Sequence, residues 1–296
     1  MFNFFNKFKR NRVWSIALYT KGVDFSFAHK FPDPWLVLNS KKLRSSKGHV
    51  HTYADPFLFP YDGELYMFFE SQAVSEPGKI EAIKTSDLKT FEYLGEILKE
   101  PFHLSFPFVF QDGEDIYLMP ESYATEEIAL YKFASFPNNL VKSRVLLKGA
   151  FKDSSLIKHN GTWFFFTTSE AGLELFYTDD LKEGHLIPHR RNPLTEDPRY
   201  SQCGGSPVIL KNQMYRIAQD CSSEYGRNIG ILRIKELSKT AYEEEVVCDD
   251  YFELQHSWNA LGGHHLSIAE FGDKKVIAVD GKQNDLLINK VMSLFY

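Results

Sequence analysis

Short runs of alternating apolar and polar residues fill most of this chain, broken by Asp-Gly at 62–63 and 112–113 and Asn-Gly at 160–161. Alternation on a period of two predicts half-buried strands, and those dipeptides predict tight hairpin turns. The pattern returns five times, at residues 53–70, 105–121, 153–170, 205–220 and 264–280. Each copy reads as a strand, a turn, an aromatic strand and an acid. A hairpin repeat of roughly 50 residues predicts an all-β fold, a five-bladed β-propeller. Further strands are expected at 79–84, 92–98, 128–133, 141–147, 173–177, 229–234 and 242–247, with a short one at 35–38. The last repeat is short of strands, since only residues 286–291 follow it. A strand at 13–20 is therefore expected to pair with that repeat and close the ring, removing an exposed sheet edge. Residues 13–296 then form a single domain behind a tail of residues 1–12.

Composition supports this reading. Aromatic residues make up 15% of the chain, with 26 Phe, which suits broad side chains filling the layers between stacked sheets. A net charge of -5 with mixed signs argues against a nucleic-acid partner. Three cysteines, Cys203, Cys221 and Cys248, have no chelating spacing and read as reduced thiols. The N-terminus makes a poor signal peptide, and no run of about 18 apolar residues is present to span a membrane. The expected location is cytoplasmic. Phe2, Phe4, Phe5 and Phe8 interleave with Lys7, Lys9, Arg10 and Arg12, a composition that suits peripheral contact with an anionic membrane or a soluble tail.

The candidate chemistry lies at the strand ends. In a propeller the start of each first strand and the end of each second strand share one face. Asp55 and Asp153 fall at starts; Glu70, Glu121, Glu170, Asp220 and Asp280 fall near ends. Crowded carboxylates repel and raise one another's pKa, which marks acid/base chemistry, sugar binding or a cation. The alternative is that each acid accepts hydrogen bonds from turn amides and recurs because the blades recur. Arg216 is a candidate for holding a carboxylate or phosphate, or for bracing the ring through an acid. Gln219 and Asp220 are candidates for sugar hydroxyls. His264 and His265 open the last repeat, and strand alternation predicts that only one, His264, reaches the shared face. No zinc site is expected, because a second histidine at chelating spacing is missing. No cofactor is expected, though a structural cation in the central channel is compatible with the acids.

Ala54-Asp-Pro-Phe-Leu-Phe, Met119-Pro-Glu-Ser, Lys152-Asp-Ser-Ser-Leu, Gly204-Gly-Ser-Pro-Val, Tyr215-Arg-Ile-Ala-Gln-Asp-Cys, Tyr225-Gly and Gly263-His-His together resemble a known module. It is the N-terminal propeller of glucosamine inositolphosphorylceramide transferases and of stand-alone bacterial relatives. The likeness runs from about residue 35 to the end. More distantly the chain resembles five-bladed glycosidases of the arabinanase and β-xylosidase type. That resemblance implies Asp55 as general base and Asp153 as the acid that tunes its pKa. The family's general acid opens a blade in a Glu-Gly-Pro-like phrase, whereas this chain has Gly204-Gly205 there. Glu121 or Glu170 is the candidate replacement.

Three functions are compatible with these residues. The first is a sugar-transferring or sugar-modifying enzyme of surface-glycan or glycolipid assembly, taking a glycan or activated sugar and a lipid-linked acceptor, with Asp55, Glu121 and Asp153 catalytic and Glu70, Glu170, Arg216, Gln219, Asp220, His264 and His265 binding substrate. The second is a glycoside hydrolase, which needs two carboxyls about 5–5.5 Å or about 6.5–9.5 Å apart. The third is a glycan-binding module without catalysis.

Overall fold

A computed structural model describes residues 12–28, 31, 33–39, 50–73 and 76–284. Regular structure among them is all β, apart from one 3-10 turn at Tyr123–Thr125. The expected basic-aromatic tail and the expected strand at 286–291 lie outside the described residues, except that Arg12 opens the first strand.

An eight-stranded sheet contains two groups of four. One comprises β1 (Arg12–Gly22), β2 (Leu36–Leu38), β20 (Leu266–Phe271) and β21 (Lys274–Asn284). The other comprises β3 (Val50–Tyr61), β4 (Glu64–Ala73), β5 (Lys79–Thr85) and β6 (Glu92–Leu98). They meet at one parallel contact, Trp14 opposite Thr52. The expected pairing of the N-terminal strand with the last repeat is present: β1 runs antiparallel to β21 from Arg12–Asn284 to Gly22–Lys274. A second sheet takes β7 (Ser105–Asp112), β8 (Asp115–Glu121), β9 (Glu127–Ser135) and β10 (Asn138–Lys148) in that order. A third takes β11 (Lys152–His159), β12 (Thr162–Ser169), β13 (Gly172–Thr178) and the two-residue β14 (Ile187–Pro188). In the fourth, β17 (Gln213–Asp220) pairs with β15 (Gln202–Cys203), β16 (Val208–Leu210) and β18 (Asn228–Leu237), and β19 (Tyr242–Cys248) follows at the edge.

Aromatic side chains fill the space between sheets. Phe164, Phe165 and Phe166 are consecutive, so alternation sends them to opposite faces of β12, yet all three are buried. Both faces of that strand are therefore covered. Phe57 of β3 packs edge-on against Phe106 and Phe108 of β7 with ring centroids 4.9 and 5.6 Å apart, tying one sheet to the next. Such edge-to-face pairs add about 0.5–1.5 kcal/mol each beyond simple burial. All three cysteines are free thiols, as their spacing implied.

Candidate functional site

Three strands, β3, β7 and β11, break their pairing near their starts. The register slips between Ala54 and Phe57, between Ser105 and Phe108, and between Lys152 and Ser155. Each slip holds one non-glycine residue in the left-handed region: Asp55 (φ 52°), Phe106 (φ 45°) and Asp153 (φ 45°). A bulge of this kind bends the strand and re-aims a side chain. Aspartate adopts this conformation more readily than phenylalanine. Phe106 is the strained member, at about 1–3 kcal/mol, and full burial of its ring against Phe57 holds it in place.

A carboxylate receives the amide of each left-handed residue. Asp55 N–H donates to Asp280 Oδ2 at 3.2 Å, Phe106 N–H to Asp55 Oδ2 at 3.1 Å, and Asp153 N–H to Glu121 Oε2 at 3.1 Å. Oδ1 of Asp280 also accepts the amides of His264 and His265 at 2.8 and 3.0 Å. The acids of the repeat thus hold the bulges of β3, β7 and β11.

The same acids form one electrostatic cluster. His264 Nδ1 lies 2.6 Å from Asp280 Oδ2 and 3.6 Å from Asp55 Oδ1; His265 Nδ1 lies 3.7 Å from Asp55 Oδ1. Burial opposes charge on His264, but Asp280, Asp55 and Asp153 outweigh it and push its pKa up to about 9. Burial likewise opposes ionisation of Asp280, and His264 overcomes it, holding that carboxyl below its usual range. His265 is driven the other way, down to about 3 by burial, and is neutral. Burial lifts Asp55 to about 7 against the opposing pull of His264, with Asp153 and Asp280 adding to the rise.

A cleft of about 490 Å³ opens beside this cluster. Glu70, Glu121 and Asp153 lie in its wall together with His103, Gln202 and Tyr225. Asp153 Oδ2 accepts from both Gln202 and Gln219 at 2.6 Å, which favours its carboxylate. Its carboxyl also shares a hydrogen bond with that of Glu121. Burial first, and the charge of Asp153 second, hold Glu121 well above the usual carboxylate range. Burial raises Asp153 as well, against the opposing hydrogen bonds from Gln202 and Glu121, so the two carboxyls stand side by side joined by a shared proton, an arrangement suited to proton transfer. Burial and then the charge of Asp55 raise Glu70 as well, and the His103 ring, itself held below its usual pKa by burial, lies 3.5 Å from it. Asp55, His264 and Asp280 bring ligand atoms within 4.8 Å of one another. A cation there would compete with the His264 proton for the same two carboxylates.

Several expected site residues sit elsewhere. Asp55 is 3% exposed and lies behind the cleft wall, not in it. Arg216 is fully buried: its fork grips Glu244 at 2.6 and 2.8 Å, and its third nitrogen reaches Tyr200 O, so it braces the fourth sheet. Asp220 is taken by Arg227 and by the Ser222 amide. Glu170 is exposed in the turn after β12 and outside the cleft wall, because that strand ends one residue earlier. Gln219 is wholly buried and acts through Asp153. Nδ1 of His264 and of His265 lies 3.6 and 3.7 Å from Asp55 in the coil before β20, where the period of two does not apply, and neither histidine lines the cleft wall. Sequence reasoning missed His103, Lys152, Gln202 and Trp14, whose ring stacks on His264 at 4.1 Å. None of them stands at a recurring position of the repeat, which was the signal in use.

The family described as glucosamine inositolphosphorylceramide transferase 1, N-terminal, matches residues 24–282. Glucosamine inositolphosphorylceramide transferase 1 of Arabidopsis thaliana is 34% identical over 247 residues, covering 77% of this chain and 32% of the relative. Its counterpart from Oryza sativa subsp. japonica is 32% identical over 241 residues, covering 76% and 32%. The chain thus spans about a third of the length of the curated relatives it matches. Among solved structures, β-1,2-mannobiose phosphorylase from Listeria innocua aligns with a TM-score of 0.60 at 12% identity, covering 94% of this chain and 98% of that one. An α-L-arabinofuranosidase from Clostridium thermocellum aligns at 0.57 and 16% identity over 76% and 81%. RS223-β-xylosidase aligns at 0.58 and 9% identity over 77% and 91%. At these identities the likeness is one of fold.

Proposed function

This chain belongs to the family of the N-terminal part of glucosamine inositolphosphorylceramide transferase 1, and on that premise we propose that it acts on a sugar at the cleft between Glu70, Glu121 and Asp153. The fold we assign is a five-bladed propeller, in which the eight-stranded sheet supplies two blades and the β1–β21 pairing closes the ring. The reaction class is transfer or modification of a sugar during surface-glycan or glycolipid assembly. The observation that carries this reading is the adjacent Glu121–Asp153 pair in an open cleft, backed by buried Asp55 and His264. Asp153 takes a proton from an acceptor hydroxyl, and Glu121 gives one to the leaving group. Asp55 sets the charge behind them, a different role from the base expected of it. A lipid-linked acceptor at the cytoplasmic membrane surface is the partner that the aromatic-basic residues before Val13 suit.

Hydrolysis of the arabinanase and β-xylosidase type has less support. Where that acid's phrase opens, Gly204 and Gly205 stand: a Cβ would lie 2.8 Å from His264 O at the first and 2.1 Å from Leu266 O at the second, which has φ 147°. Packing excludes any side chain at that point.

The test is turnover of nucleotide sugars and simple glycosides by the wild-type protein, Glu121→Gln, Asp153→Asn and Asp55→Asn. Loss of about 10²- to 10⁴-fold in the first two variants is expected for removed acid/base groups. Wild-type rates in both would refute the assignment. Binding without turnover, weakened only slightly by Asp153→Asn, would make the chain a glycan-binding module.

A further inference from the structure

The loop from Cys221 to Arg227 joins β17 to β18 and carries an aromatic ring to the mouth of the acidic cleft. Tyr225 lines that cleft and remains 53% exposed. Its ring stands edge-on to His264 at 5.0 Å and to Trp14 at 6.1 Å. Gly226 follows at φ 63°, and a Cβ there would lie 2.8 Å from the Trp14 ring and 3.0 Å from His264, so only glycine lets the loop settle this closely.

The paired strands β21 and β1 hold the loop down. Lys282 of β21, 1% exposed, donates to Tyr225 O at 2.6 Å and to Glu224 at 3.3 Å. Arg12 of β1 pairs with the same Glu224 at 2.7 Å. An aromatic ring fixed by a buried lysine yet left half open contributes little to the core. Beside it stand carboxyls that accept hydrogen bonds from hydroxyls. A flat apolar surface next to a row of acceptors matches a sugar ring, which has an apolar face of C–H groups and a polar rim.

We propose that Tyr225 is a specificity-determining residue of the cleft, packing its ring against one face of the bound sugar while Glu70, Glu121 and Asp153 take the hydroxyls. This rests on the reading of the cleft as a sugar site. The hydroxyl of Tyr225 stays protonated, held well above its usual pKa by burial and then by the charges of Asp153 and Asp55, so it also donates to the ligand.

The experiment is calorimetric titration with UDP-N-acetylglucosamine, D-glucosamine and the methyl glycosides of β-xylose, α-arabinofuranose and β-mannose. It compares the wild-type protein with Tyr225→Ala, Tyr225→Phe and Asp153→Asn, each shown by its melting curve to be folded. For a probe that the wild-type protein binds, Tyr225→Ala weakens affinity about tenfold and Tyr225→Phe less than about threefold, because most of the contact is ring surface. Unchanged affinity in Tyr225→Ala, with loss in Asp153→Asn, overturns this proposal and leaves the sugar site standing. Equal loss in Tyr225→Phe and Tyr225→Ala overturns the ring contact in favour of the hydroxyl alone. Wild-type affinity in all three variants, or no binding of any probe to the wild-type protein, overturns both readings.

Discussion

The backbone amide of Asp55 donates to Oδ2 of Asp280 across 225 positions of sequence. That contact joins the first repeat to the last and fixes where the Asp55 carboxyl points. Asp280 also holds the amides of His264 and His265 and the ring of His264. Replacing it by alanine leaves the buried His264 ring only the longer 3.6 Å contact to Asp55 and leaves three amides without their acceptor. Asp280→Ala is expected to lose about 3–5 kcal/mol of stability in urea unfolding, and Asp280→Asn, which keeps an acceptor oxygen, clearly less. Equal losses would place the effect in the charge, which both variants remove, and not in the acceptor oxygen.

Stability should fall as pH rises through the neutral range. Asp55 is raised from 3.8 to about 7 and His264 from 6.5 to about 9, so the folded state holds more protons than the unfolded one across both windows. The contribution of Asp55 is present below 3.8 and lost as pH climbs to about 7; that of His264 is present below 6.5 and lost by about 9. Asp280 is depressed, and its contribution disappears at the acid end, below its usual range. His265, held down to about 3, works the other way below 6.5, so the decline is read from pH 7 to 9. The melting temperature should fall over that step and His264→Gln should flatten it; a rise from pH 7 to 9 would contradict the cluster.

Arg216 gives a control that separates support from binding. Its guanidinium pairs with Glu244 inside the fourth sheet, so Arg216→Met leaves a largely buried carboxylate without its cation and with only the Tyr242 hydroxyl. The expected cost is about 3–5 kcal/mol of stability, with ligand affinity at the cleft unchanged while the protein stays folded. A fall in affinity at full folding would return Arg216 to the site.

Gly205→Ala probes the close approach of the fourth repeat to β20. Its φ of 147° and the 2.1 Å separation of a new Cβ from Leu266 O predict a loss of about 2–4 kcal/mol by thermal unfolding. Gly161→Ala is the comparison, because its turn position has open space around an added Cβ. It should cost visibly less.

The strands were legible because a period of two and Asp-Gly turns are local signals. Val13 to Thr20 was assigned to the last repeat because that repeat lacked partners, and β1 pairs with β21 there. The acids were legible as a group for the same reason: they recur. Their individual roles were not, since role depends on which way a bulge turns a side chain. Asp55 and Asp153 occupy matching positions, yet one is buried behind the cleft and the other is in its wall. Phe106 holds the same left-handed place with no carboxyl at all. Arg216 stayed open in the sequence between a ligand and a bracing acid, because alternation gives a face but not the partner waiting on it, which here is Glu244 of β19.

The antiparallel match of Arg12–Gly22 with Lys274–Asn284 also sets an order of events during synthesis. The first strand leaves the ribosome about 260 residues before β21, and at about 5–20 residues per second it waits tens of seconds with only the short β2 and the Thr52 contact beside it. The sheets formed by residues 105–248 have all their strands meanwhile. Trp14 cannot stack on His264, nor Asp55 find Asp280, until residues 264–280 have been made. The acidic site is therefore assembled after the sheets of residues 105–248, so a product that stops short of residue 264 carries sheets but no finished chemistry.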